Sequence, residues 1–287
     1  MTFAQTLIDD LVATTLAAGR IVMEVYACDF AVGTKGDASP VTLADELAEA
    51  AILADLARIL PDVPVVAEEA VAAGRVPVLG RRFVLVDPLD GTREFIGRNG
   101  EFTVNIALVE DGRPVVGVVG APALGEIFVG VVGKGARAGR VDADGSVVWR
   151  DVTTREAPED GLAVLASRSH GDATTEALIA RLPVATRVGA GSSLKFCRLA
   201  AGEADLYPRF GRTMEWDTAA GEAVLVAAGG FVAGIDGRPL AYGREQVEGD
   251  APFANPWFVA AGRHAVLDRA LAAARDVVGR GGAARDK

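Results

Sequence analysis

Apolar residues recur at a helical spacing along residues 3–26. Leu7, Leu11, Ala18, Val22 and Val25 fall on one face, with Thr14 and Thr15 between them, so the segment predicts an amphipathic helix. A second helix is expected over residues 43–60, entered at Thr42 and stopped by Pro61. The period then changes. Short β-branched runs stand at residues 63–67, 82–86, 103–110, 115–121 and 126–131, parted by turn residues such as Asp111-Gly112. Leading helices followed by mostly adjacent strands favour a first lobe of α+β type, placed at residues 1–155.

From about Glu156 strand and helix alternate. Strands are expected at 162–167, 185–188, 205–207, 231–233 and 257–260. Helices are expected at 174–181, 194–202 and 218–228, the last of these ended by Gly229-Gly230, with one more helix closing the chain. Such alternation predicts an α/β second lobe, residues 156–287. The expected fold is therefore a layered α+β and α/β sandwich of two lobes, with a functional site between them.

Half of the 287 residues are apolar, enough for one large core or two lobes in close contact. The formal charge of -10 argues against a nucleic-acid groove, which shows as a basic stripe, so an anionic substrate must be met by local cations. Cys28 and Cys197 are too few for a zinc knuckle or a disulfide scaffold, and a reduced cytoplasm is expected. His170 and His264 give no zinc-binding HExxH pattern. The apolar stretch 12–25 is interrupted by Thr, Gly, Arg and Glu, so neither a secretory leader nor an integral membrane segment is expected.

Chemistry concentrates in Phe83-Val84-Leu85-Val86-Asp87-Pro88-Leu89-Asp90-Gly91-Thr92, where a buried strand delivers two acids to its end and then turns. Pro88 cannot continue a ladder, and Gly91 permits a tight turn that exposes backbone N–H groups. Two carboxylates three residues apart can converge on a hard cation, or can form an Asx-turn with their own backbone. Haloacid-dehalogenase phosphatases also set an acid pair after a strand, but two residues apart and without the proline. Val65-Val66-Ala67-Glu68-Glu69 ends another strand in two acids, a solvated strand end or a cation site. Met214-Glu215-Trp216-Asp217-Thr218-Ala219-Ala220-Gly221-Glu222 places Asp217 where a helix begins, as a ligand or an N-cap.

Together and in this order, the acidic strand end, the Asp-Pro-Leu-Asp-Gly-Thr turn and the Trp-Asp helix start resemble the inositol-monophosphatase superfamily over nearly the whole chain. The resemblance implies a Mg²⁺-dependent, lithium-sensitive phosphatase with two or more Mg²⁺ per site. One would be held by Glu68, Asp87 and the carbonyl of Leu89, the second by Asp87, Asp90 and Asp217. It also implies that Thr92 and Asp45 activate the attacking water, although Thr42 and Asp45 equally have the spacing of a capping box. Glu69 is assigned an outer position.

Further stretches are similar to the bacterial 3'(2'),5'-bisphosphate nucleotidases. These are Lys35-Gly36-Asp37-Ala38-Ser39-Pro40-Val41-Thr42, Arg93-Glu94-Phe95-Ile96, Gly100-Glu101-Phe102-Thr103-Val104-Asn105-Ile106-Ala107, Ser167-Arg168-Ser169-His170, Gly191-Ser192-Ser193-Leu194-Lys195-Phe196 and Leu206-Tyr207-Pro208-Arg209-Phe210. This implies hydrolysis of adenosine 3',5'-bisphosphate to AMP, action on 3'-phosphoadenylyl sulfate and a place in sulfate assimilation. The substrate would touch Glu68, Leu89, Asp90, Gly91, Thr92 and Asp217 at the reacting phosphate. His170, Ser192, Lys195 and Arg209 would hold the nucleoside and its second phosphate. The alternatives are an inositol or histidinol phosphatase with the same metal ligands, and a non-catalytic regulator of the same fold. Some relatives sit peripherally on the inner membrane, but no basic amphipathic anchor is visible. Monomer and homodimer stay open.

Overall fold

A computed structural model of the chain describes residues 4–29, 31–34, 40–166 and 173–282. In chain order, α1 (Gln5–Tyr26) is followed by the hairpin of β1 (Val32–Thr34) and β2 (Pro40–Thr42), then α2 (Leu43–Ile59), β3 (Val65–Ala67) and the short α3 (Glu68–Ala72). Next come β4 (Arg82–Asp90), α4 (Thr92–Ile96), β5 (Thr103–Glu110), β6 (Arg113–Ala121), β7 (Glu126–Val131), β8 (Gly135–Val141) and β9 (Val147–Val152). The remainder is β10 (Leu162–Ala166), α5 (Ala173–Ile179), β11 (Val184–Gly189), α6 (Leu194–Ala200), β12 (Leu206–Arg209), α7 (Glu215–Ala227), β13 (Phe231–Gly234), β14 (Phe258–Ala261) and α8 (His264–Gly282).

Strands β3 to β9 form a seven-stranded sheet in sequence order, with β3 parallel to β4 and every later pair antiparallel. The other large sheet runs β11-β10-β12-β14-β13 and is mixed, parallel at β11, β10 and β12 and antiparallel beyond. Side chains of a strand alternate between faces, and β4 displays the consequence. Val84 and Val86 pack with Ile8, Leu11 and Val22 of α1 and Ile52 and Leu56 of α2, whereas Phe83 and Leu85 join Ala219, Ala220 and Val224 of α7 on the other face. In the second sheet Ala163, Leu165, Tyr207 and Phe258 face α6 and α7, while Leu162, Val164 and Leu206 face α5 and α8. The result is a sandwich of alternating helical and sheet layers, with α6 and α7 in the middle.

Two glycines let that middle layer lie close. A Cβ on Gly117 would come within 2.2 Å of the Ala220 carbonyl oxygen, and one on Gly130 within 2.5 Å of the Val224 Cα, so α7 rests on bare backbone of β6 and β7. Among the described residues no helix is long and apolar enough to cross a membrane.

Candidate active site

Strand β4 does not stop at Val86. It continues through Asp90, but its pairing with β5 shifts register between Asp87 and Asp90, and Pro88, which has no N–H to donate, sits inside that irregularity. Asp87 Oδ1 accepts the Leu89 N–H at 3.0 Å, an Asx-type turn that fixes the acid in place. Gly91 then adopts φ 90°, a left-handed conformation free of Cβ strain, and turns the chain into α4 at Thr92.

Helix α7 begins at Glu215, three residues before the sequence pattern suggests, so Asp217 is the third helical residue and not an N-cap. Its Oδ2 accepts the Met214 N–H at 2.8 Å, satisfying one of the free donors of the helix start. Glu68 opens α3 at the end of β3. These elements converge on one cleft of about 280 Å³. Glu68, Asp87, Leu89, Asp90, Gly91 and Thr92 line it from the earlier part of the chain, and Ser192, Lys195, Arg209 and Asp217 from the later part. His170 and residues 35–39 of the lysine motif lie outside the described residues.

Asp45 sits behind the cleft and is buried. Its two oxygens divide the two roles the sequence leaves open. Oδ2 closes a capping box, accepting the Thr42 N–H at 2.8 Å and the Thr42 hydroxyl at 2.7 Å. Oδ1 lies 3.4 Å from the Thr92 hydroxyl, which is also 3.3 Å from the Leu89 carbonyl oxygen. Glu69 instead anchors α3, its N–H donating to the buried Glu49 at 2.7 Å.

Burial dominates the electrostatics of the acids. The Asp217 carboxyl is pushed well above the usual range, first by desolvation and then by the charges of Asp90 and Glu68. Asp90 is also pushed up by burial, although Lys195 and two hydrogen bonds from Ser193 pull against it. Among the described residues no three acidic, histidine or cysteine side chains already close on one point. The fit to a hard divalent cation rests instead on an all-oxygen donor set and on like charges crowded out of water, which a cation would relieve.

Across the cleft the Lys195 ammonium is pushed down to about 8, chiefly by burial and against the pull of Asp90. It donates to the Ala190 carbonyl at 3.1 Å and lies over the Tyr207 ring at 5.3 Å. Arg209 Nε is buried without a partner, while one of its amino groups donates to the Arg212 carbonyl at 3.1 Å. Ser192 does not cap α6. It has φ 41°, and its hydroxyl donates to the Glu101 carbonyl at 3.0 Å, while Ser193 takes the N-cap position. Arg93, Glu94, Phe196, Tyr207, Arg212, Thr213 and Thr218 also line the cleft, and the sequence pattern assigns none of them a role there. Adjacency to the turn, the Tyr-Pro-Arg stretch and the Trp-Asp helix start was the available signal.

Residues 4–273 match the inositol monophosphatase family. The chain belongs to that family. It is 42% identical to the 3'(2'),5'-bisphosphate nucleotidase CysQ of Escherichia coli strain K12 over 88% of this chain and 98% of the relative. The crystal structure of CysQ from Bacteroides thetaiotaomicron, described as a bacterial member of the family, superposes with a TM-score of 0.74 at 36% identity, covering 91% of this chain and 99% of its own. An inositol monophosphatase from Zymomonas mobilis superposes at 0.71 with 30% identity, covering 95% and 100%. The layered α+β sandwich is the fold of this family.

Proposed function

We propose that this chain is a Mg²⁺-dependent 3'(2'),5'-bisphosphate nucleotidase that hydrolyses the 3'-phosphate of adenosine 3',5'-bisphosphate to AMP and phosphate, with 3'-phosphoadenylyl sulfate as a second substrate. The observation that carries the reading is the 42% identity over 98% of a relative of that activity, together with a cleft that sets buried acids opposite Lys195 and Arg209. Sulfate assimilation and a cytoplasmic location follow from the same reading. A peripheral seat on the membrane finds no support.

In this reading residues 1–155 hold the metal and residues 156–287 select the substrate, with Asp217 crossing from the second group to the first. Glu68, Asp87 and the Leu89 carbonyl would hold one Mg²⁺, and Asp87, Asp90 and Asp217 another. Bound there, Mg²⁺ would neutralise phosphate charge and lower the pKa of water. The chain's own groups then supply direction. The Thr92 hydroxyl is set to orient a water toward the ester phosphorus, and Asp45 Oδ1 beyond it is set to take the proton. Lys195 gives a point charge and Arg209 a planar fork to the phosphate that does not react.

The deciding experiment compares kcat/KM for adenosine 3',5'-bisphosphate, inositol monophosphate, histidinol phosphate and fructose bisphosphate, each with and without Mg²⁺. The adenosine bisphosphate is expected to lead, and only with Mg²⁺. A lead by inositol or histidinol phosphate would overturn the substrate, and absence of hydrolysis on all four would overturn the enzyme.

A further inference from the structure

Ser193 ends the loop before α6 and is 1% exposed. Its hydroxyl meets groups from three other elements. Asn105 of β5 donates through Nδ2 at 2.8 Å. Asp90 Oδ2, at the end of β4, lies at 2.8 Å, and the backbone carbonyl of Asp217, in the first turn of α7, lies at 2.6 Å. The Ser193 N–H donates to the same Asp90 oxygen at 2.6 Å.

A serine hydroxyl has one hydrogen and two lone pairs. The Asn105 amide nitrogen can only donate, so it occupies a lone pair and leaves the hydrogen to be shared by the two oxygens. One small group thereby ties the strand end that carries Asp90 to the helix start that carries Asp217. Asn105 Oδ1 is buried without a partner, so this amide costs stability on one side while holding Ser193 on the other.

We propose that Ser193, held by Asn105, is a positioning residue that sets Asp90 and Asp217 relative to one another and so sets the affinity of the cleft for a divalent cation. It does this while touching neither the cation nor the substrate. The proposal rests on the reading of these acids as cation ligands. Removing the hydroxyl takes away one of the two hydrogen bonds that Ser193 gives Asp90, and with it the hydrogen-bonded tie between the β4 end and the α7 start. Loss of such outer hydrogen bonds weakens metal sites by about 10–100-fold.

The test uses the full-length protein, its Ser193→Ala and Asn105→Leu variants, and Mn²⁺ as the probe, with free Mn²⁺ followed by electron paramagnetic resonance. The Kd for Mn²⁺ is expected to rise roughly ten- to a hundredfold in Ser193→Ala and several-fold in Asn105→Leu. In both, the Mg²⁺ concentration for half-maximal phosphate release rises in step, while kcat at saturating Mg²⁺ changes far less. Asn105→Leu, which removes an orphaned acceptor, is expected to melt no lower than the wild type, so weaker cation binding there is not a loss of fold. If Ser193→Ala fails to fold, Asn105→Leu decides. Equal Mn²⁺ affinity in the wild type and the folded variants overturns the proposal and leaves the cation reading standing. A fall in kcat with unchanged affinity also overturns it. A wild type that binds no Mn²⁺ overturns both.

Discussion

The acidic wall of the cleft and its cationic wall hold their charges by different means. On the acidic side Asp87, Asp90, Asp217 and Asp45 each accept a backbone N–H, from Leu89, Ser193, Met214 and Thr42 respectively, so a strand end or helix start fixes each carboxylate. On the other side Lys195 and Arg209 reach the cleft on long side chains, steadied by single carbonyls and, for Lys195, by a tyrosine ring. A wall bonded to backbone suits ligands whose spacing must hold to a fraction of an ångström, and a wall of cationic side-chain ends suits contact with the part of a substrate that varies. The acids are therefore expected to serve every substrate of the enzyme, and the cations to distinguish among substrates.

The largest break in that comparison should come from Asp90→Asn. The amide keeps its size and can still accept from Ser193, but loses the charge a cation needs. We expect kcat/KM to fall about a thousandfold on every phosphate ester, on the order of 4 kcal/mol of transition-state stabilisation, with an unaltered circular dichroism spectrum. Near-normal turnover at saturating Mg²⁺ would remove Asp90 from the cation site.

Arg209→Ala should act on one substrate only. Losing a charge-assisted contact to the phosphate that does not react costs about 1.5–3 kcal/mol, or roughly ten- to a hundredfold in kcat/KM, for adenosine 3',5'-bisphosphate. A small monophosphate should be nearly unaffected. Lys195→Ala should depress the bisphosphate as strongly and the monophosphate to a smaller degree, because Lys195 also steadies Asp90. Equal losses on both substrates for Arg209→Ala would erase the division between the walls.

Sequence reasoning reached the acidic wall more fully than the cationic one, and the reason is local. Asp87, Asp90 and Thr92 lie in one turn, whose Pro88 and Gly91 announce the irregularity and the left-handed residue. The same proline misled on extent, because β4 runs on through Asp90 by pairing again with Thr103. The β-branched runs delimit strands β5 and β7 to the residue, whereas the sequence pattern predicts neither β8 nor β9. β8 is Gly-Ala-Arg-Ala-Gly-Arg-Val, with little strand propensity of its own, and it exists by pairing with β7 and β9. The link from Asn105 through Ser193 to Asp90 joins positions 88 and 103 residues apart, and no local spacing announces it.

The smallest expected effect contrasts an acid of the cleft with an acid of the core on one helix. Asp217 faces the cleft from α7, while Glu222, five residues on, accepts the Tyr242 hydroxyl at 2.6 Å within the core. Burial pushes Glu222 up from 4.5 to about 7, against the Tyr242 hydrogen bond and the charge of Arg113. Because the folded state holds this proton more tightly than the unfolded chain, its contribution to stability is complete below about pH 4.5. It is lost as pH rises toward 7, where the folded group ionises. From about pH 6 to about pH 7.5 the loss attributable to Glu222 is about 1 kcal/mol. Without a cation, Asp90 and Asp217 add a slope of the same sign, because burial raises them too. Urea unfolding followed across this range should therefore separate the two acids. Saturating Mg²⁺ should flatten the part that belongs to the cleft, and Glu222→Gln the part that belongs to Glu222, leaving the share of Glu49 and Glu215, which burial also raises. If Mg²⁺ alone abolishes the whole slope, Glu222 is not the protonated partner of Tyr242. If Glu222→Gln alone abolishes it, the acids of the cleft are not crowded as their burial implies.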